Sequence, residues 1–359
     1  MDRSAPSRHD LPTPALIIDL AALERNIAAM AAFAEAQGIA LRPHAKTHKS
    51  GEIARRQIAA GAAGICCAKL GEAEALAADG VANIHLTSPV VTPAAIERLA
   101  ALAERIALSV VADHPDNARA LGAVDGLTVY IDVDPGSHRT GVTSAAAAVA
   151  LAQVITATGT LKLGGVQYYC GSHQHIQSLA ERRAAIVERT EYLRDVLGAL
   201  ADAGFAIPVV TGGGTGTFAI DASLGVFTEL QVGSYIFLDR EYLDCELAGP
   251  RFEPALFVDA TVVSANTPGM VTIDSGLKAF ATDAGVPVVL GGASDGTRYV
   301  FTGDEHGALL GEGLPGLGAR VTLMPPHCDP TVNLYDRYHV LDGDMVTGSW
   351  PVTARGRST

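Results

Sequence analysis

Short apolar runs alternate with longer stretches of 3.6-residue periodicity through the first two-thirds of the chain. The apolar runs predict strands at 39–46, 63–68, 83–88, 107–113, 127–134, 161–169, 207–211 and 228–232. Helical patterns lie between them, at 21–37, 144–156 and 179–203 most clearly. Over 21–37, Leu23, Ile27, Met30 and Ala34 fall on one face. Strands alternating with helices in this way predict an α/β fold with a TIM-type parallel (β/α)8 barrel, with an open doubly wound sheet as the rival. Beyond residue 247 the texture changes. Segments 258–266, 269–274, 286–290, 297–302, 320–323 and 344–349 are short, β-rich and divided by Gly, Pro and Asp. They predict a second, mostly antiparallel β domain. Pro12-Thr13-Pro14 followed by 15–20 predicts an N-terminal strand that joins it. The expected division is a barrel over 21–246 and a β-rich domain from 1–20 with 247–359. The last residues, 355–359, are expected to fray.

Composition narrows the function classes. The 359 residues are 48% hydrophobic and 18% charged, with a formal net charge of -13. This suits a globular chain with a large core and argues against nucleic acid or an anionic membrane surface as partner. No apolar stretch is long enough to span a bilayer, and residues 1–11 are too polar for a leader peptide. The five cysteines, Cys66, Cys67, Cys170, Cys245 and Cys328, form no Cys-x-x-Cys pair, which predicts reduced, buried thiols and a cytoplasmic protein.

Barrels carry their chemistry at the C-terminal ends of the strands, so the rim can be read without a motif. Lys46 follows the first predicted strand, Arg139 the fifth, and Tyr169 and His175 the sixth. Gly212-Gly213-Gly214-Thr215-Gly216-Thr217 follow the seventh, and Gly233-Ser234-Tyr235 the eighth. A lysine partly withdrawn from water has a lowered pKa and a better nucleophile for imines. Strand alternation places His44, Lys46 and His48 on one side, where like charge would depress that pKa further. Glycine-rich loops let backbone N–H groups approach a phosphate. An imine-forming lysine and a phosphate cradle on one rim are the anchors that pyridoxal 5′-phosphate needs. Arg139 cannot give up its proton, so as a donor to the cofactor's pyridine nitrogen it would weaken the ring as an electron sink. His327 and Asp329 are two apart and would point the same way from an extended segment, as two ligands of a divalent cation.

These features resemble the D-threonine aldolase and D-serine dehydratase family, related in fold to alanine racemase. Pro43-His44-Ala45-Lys46-Thr47-His48 carries the family's Pro-His-x-Lys-Thr-His segment. The resemblance implies a cofactor held by Lys46, His44, Arg139, Tyr169, Thr211, Gly213, Gly214, Thr215, Gly233, Ser234 and Tyr235. It implies His175 as catalytic base beside Lys46, and a metal on His327 and Asp329. Dehydratase-type members tend to carry His-x-Cys with zinc, and aldolase-type members His-x-Asp with manganese, magnesium or a similar ion. His327-Cys328-Asp329 fits the second, with Mn2+ or Mg2+ expected and Zn2+ or Co2+ the alternatives. The implied activity is cleavage of D-threonine and related D-β-hydroxy-α-amino acids, by an expected homodimer whose β domain closes the partner's barrel. The alternatives are a 3-hydroxy-D-aspartate aldolase, a dehydratase of D-serine or 3-hydroxyaspartate, and a non-catalytic cofactor-binding protein. No second base on an opposite face argues for a racemase.

Overall fold

The computed structural model describes residues 6–359. Among them, two sheets form. Strand β1 (Ala15–Asp19) leads into the helix Leu20–Gln37. The Asp19 side chain accepts the Ala22 N–H at 2.9 Å to start that helix, and Gly38 ends it at φ 62°. Then β2 (Ala40–Leu41), β3 (Ile65–Cys67), β4 (Asn83–Leu86), β5 (Ala107–Ala112), β6 (Thr128–Val133), β7 (Lys162–Tyr168), β8 (Val209–Gly212) and β9 (Glu229–Leu230) alternate with helices. They pair in parallel in the order β2-β9-β8-β7-β6-β5-β4-β3. Ala63 N–H donates to Leu41 O and Cys66 N–H to Pro43 O, both at 2.8 Å, so the first and second strands close the ring. The predicted barrel is the observed one.

Its interior carries a polar network. Arg42 pairs with Glu229 at 3.0 Å and donates to Asn83 at 2.8 Å. Thr211 donates to Glu229, Gln231 to Thr211 and Gln167, and Gln167 to Asp132. Buried polar groups are tolerable only when partnered, and these satisfy one another across the barrel.

The second sheet holds β10 (Leu256–Thr267), β11 (Met270–Ile273), β12 (Val288–Gly291), β13 (Arg298–Phe301), β14 (Gly307–Leu310), β15 (Arg320–Met324), β16 (Arg337–Asp342) and β17 (Met345–Pro351). The N-terminal β1 joins it, antiparallel to β10 and parallel to β16. All pairs but β1–β16 are antiparallel, as expected. One apolar core runs continuously from the barrel into this sheet.

The structure departs from expectation in the first strand, in the second sheet and at the C-terminus. The first strand stops early, because His44 and Lys46 enter a 3-10 turn over Ala45–Thr47. Strands β14 and β16 lie where none is predicted. The C-terminal residues are held: Gly71 N–H donates to Thr359 O at 2.7 Å and Gly356 N–H to Asn333 at 2.9 Å. No helix among the described residues is long and apolar enough to cross a membrane, and all five cysteines are buried and free.

Candidate active site

The 3-10 turn exists because the buried His44 ring holds it. His44 Nδ1 accepts the Lys46 N–H at 3.3 Å, and its Nε2 meets the Thr87 hydroxyl at 3.1 Å. Burial, and then the charge of Lys46, push the His44 pKa well down, so the ring stays a neutral acceptor. Lys46 projects into a cavity of about 360 Å³. His44, Arg139, Tyr169, Gly214, Thr215, Gly233 and Ser234 line the same cavity, so most of the predicted cofactor residues meet there. Thr211, Gly213 and Tyr235 do not line it. Thr211 is spent on Glu229 inside the barrel, Gly213 packs on Asp221, and the Tyr235 hydroxyl accepts from Gln57.

The turn overturns two expectations. His48 leaves the lysine's side and accepts from Ser50 N–H, and the next residue, Lys49, pairs with Glu72. The Lys46 amine is not lowered in pKa. Asp329 Oδ2 stands 2.7 Å from its Nζ, and that negative charge, outweighing burial, raises it.

The glycine loop and the loop after β7 are clamped together by Gln174. Its Nε2 donates to Thr217 Oγ1 at 3.0 Å and its Oε1 accepts the Gly216 N–H at 3.0 Å. A Cβ on Gly216 would stand 2.0 Å from the Gln174 carbonyl oxygen, and one on Gly233 2.6 Å from the Thr47 hydroxyl. Only glycine fits where these chains approach. The N–H groups of Thr215, Gly233 and Ser234 find no acceptor among the described residues, which fits a phosphate cradle. The Arg139 guanidinium lies 5.3 Å from the centre of the Tyr169 ring, while Asp132 and Asp134 bond Thr140 and the 136–138 loop instead. A lysine amine, an arginine donor and free backbone N–H groups around one cavity suit pyridoxal 5′-phosphate.

At the mouth, residues from the two sheets meet. His327 and Asp329 are not on an extended segment: His327 caps the short helix Cys328–Val332 and Asp329 sits in its first turn. Even so, His327 Nε2 lies 4.0 Å from Asp329 Oδ2. Asp239 Oδ2 accepts the Cys328 N–H at 2.7 Å and fixes this turn to the barrel. The Asp329 carboxyl is held far below the usual range, because Lys46 and His327 outweigh burial. Cys328 is fully buried, and burial drives its thiol well up, so it is a poor ligand. An imidazole nitrogen and an ionised carboxylate form a mixed donor pair that suits a divalent cation. Among the described residues no group of three or more such donors occurs, so water or substrate would complete the shell.

His175 is partly exposed at the same mouth, 3.9 Å from Glu241 through its Nδ1, with its ring tilted against that of Tyr242 at 4.7 Å between centres. Burial lowers its pKa against the pull of Glu241, which favours the neutral base. Thr87, Gln167, Gln231, Tyr242, Glu241, Gln174 and Asp283 were not found from sequence. The polar glutamines at strand positions 167 and 231 were the available signal, since parallel barrel strands otherwise read as apolar.

Comparison with known proteins places this geometry. Residues 18–241 match the family model described as alanine racemase, N-terminal domain, and 255–341 match a serine dehydratase domain. The chain is 41% identical over 355 residues to a D-threonine aldolase of Arthrobacter sp, covering 96% of this chain and 93% of that one. It is 37% identical over 362 residues to a 3-hydroxy-D-aspartate aldolase of Paracoccus denitrificans (strain Pd 1222), covering 97% and 93%. The crystal structure of D-threonine aldolase from Filomicrobium marinum superposes with a TM-score of 0.96 at 38% identity, covering 99% of each chain.

Proposed function

The chain belongs to the D-threonine aldolase and D-serine dehydratase family, of alanine racemase fold, and we propose that it is a carbon–carbon lyase cleaving D-threonine and related D-β-hydroxy-α-amino acids to glycine and an aldehyde. One observation carries the reading. Asp329 Oδ2 stands 2.7 Å from Lys46 Nζ and 4.0 Å from His327 Nε2, so the lysine and the donor pair serve one cavity.

When bound, pyridoxal 5′-phosphate supplies an aldehyde for imine chemistry and a conjugated ring that takes up an electron pair. Lys46, Arg139, and the backbone of Thr215, Gly233 and Ser234 would hold it. A cation on His327 and Asp329 would supply a Lewis acid for the substrate's β-hydroxyl. Mn2+ or Mg2+ suits the carboxylate–imidazole pair.

The chain's own part is proton handling and orientation. Lys46, its amine 2.7 Å from Asp329, would anchor the cofactor and yield that place to the substrate's amine. His175 takes the β-hydroxyl proton, its Nδ1 side turned to Glu241. The Cα–Cβ bond breaks, the aldehyde leaves, and the electron pair left on Cα takes a proton to give glycine. Arg139 would serve the cofactor's pyridine nitrogen as a hydrogen-bond donor and not as an acid.

Two features favour the aldolase over a dehydratase of the same family. Asp329, not Cys328, meets Lys46 and His327, and the Cys328 thiol is buried. A 3-hydroxy-D-aspartate aldolase is the second reading, supported by the Paracoccus relative. The carboxylates of Glu241 and Asp283 beside His327 oppose a substrate with a second negative charge. A homodimer and a cytoplasmic setting complete the proposal.

The test is the metal response. Chelation should silence cleavage of D-threonine by the wild type, and added Mn2+ should restore it. Asp329→Ala should no longer respond to added Mn2+. A variant that responds to chelator and Mn2+ like the wild type refutes the metal role of Asp329.

A further inference from the structure

His327 has two ring nitrogens, and only one can serve a cation while the ring is neutral. Its Nε2 faces Asp329. Its Nδ1 lies 2.6 Å from Asp283 Oδ2, within hydrogen-bond distance, and 3.7 Å from Glu241 Oε2, beyond it. Which nitrogen carries the proton is set by the bond the other side makes.

We propose that Asp283 is a positioning residue for the cation centre: it accepts the His327 Nδ1–H and so turns the Nε2 lone pair toward Asp329. The inference rests on the reading of His327 and Asp329 as the metal pair. Asp283 reaches His327 from the segment between β11 and β12, and that segment is built to stay there. Phe280 is buried against Tyr299. Ala281 N–H donates to the Thr331 hydroxyl at 3.1 Å, on the helix that carries Asp329. The Tyr335 hydroxyl donates to Ala279 O at 2.9 Å. The carboxylate and the two metal donors are therefore fixed to one another through residues 328–335. Asp283 itself is half exposed, and its side chain bonds His327 alone among the described residues. Its removal should leave the fold intact.

Carboxylates that orient a metal-bound histidine in this way are worth about 10–100-fold in metal affinity. The experiment titrates Mn2+ into the cofactor-loaded enzyme and follows free Mn2+ by electron paramagnetic resonance. Asp283→Ala should weaken Mn2+ binding by about 10–100-fold. Asp283→Asn should lose less, because its amide oxygen still accepts the N–H. Glu241→Gln should leave binding near the wild-type value. Cofactor absorbance and Tm should stay unchanged in all three, and saturating Mn2+ should restore kcat in Asp283→Ala. Wild-type Mn2+ affinity in Asp283→Ala, with His327→Ala abolishing binding, overturns this inference and leaves the metal pair standing. Binding that survives His327→Ala overturns both.

Discussion

The ammonium of Lys46 is balanced by one carboxylate, and that carboxylate also belongs to the proposed cation pair. The amine's reactivity therefore depends on where the charge of Asp329 is spent. Lys46→Ala should abolish both the cofactor's imine absorbance and D-threonine cleavage, and retention of both would refute the assignment. A second prediction concerns Asp221, fully buried under the glycine loop, where the Thr217 hydroxyl donates to it at 2.6 Å. Burial raises its carboxyl from 3.8 to about 7, against that hydrogen bond. From about pH 4 to 7 the folded state then keeps a proton that the unfolded chain has lost, so stability falls as pH rises through that window and levels off above it. Asp221→Asn should flatten this decline in urea midpoints measured at pH 4.5 and 8; an unchanged decline contradicts the assignment. Lys46 and the His327–Asp329 pair were legible as residue types. The sign of the lysine's pKa was not, because Asp329 lies 283 positions away and no local pattern reveals it.

The elements that matter most are the two loops clamped by Gln174. They carry His175 and the cradle, and Arg182 ties the first of them down through Ile176 O and Glu246 O. Gly216→Ala would drive a Cβ into the Gln174 backbone. The expected cost is about 1–3 kcal/mol of stability, with weaker retention of the cofactor on dialysis. Unchanged Tm and cofactor content would show that the loops are not coupled. At this scale the sequence is a good guide to buried strands and a poor one to rims. Thr128–Val133 and Lys162–Tyr168 read as apolar runs because both faces are covered. The rim residues bend away under side-chain bonds such as His44 to Lys46 N–H, which leave no periodicity. Gly307–Leu310 opens on a glycine and lacks the alternation that marks a strand, and Arg337–Asp342 is masked by Arg337 and His339. Asp283 had no signal at all, being an exposed loop aspartate until His327 is placed beside it.

For the whole molecule, function depends on two sheets keeping their relation, since Lys46 comes from one and Asp329 from beside the other. The N-terminal segment contributes to the second sheet as well as entering the barrel. Arg8 grips the fully buried Asp259 of β10 with Nε at 3.0 Å and Nη2 at 2.6 Å. Arg8→Ala leaves that carboxylate to Thr322 and a more distant Arg320, and should cost about 3 kcal/mol in urea unfolding while leaving the Mn2+ response intact. A change below about 0.5 kcal/mol would mean that Asp259 needs no charged partner. Carbon–carbon cleavage is tested most directly by the product of D-threonine turned over by the cofactor- and Mn2+-loaded enzyme. Glycine and acetaldehyde should form in equal amounts, with L-threonine untouched. Ammonia and 2-oxobutanoate in their place would contradict it.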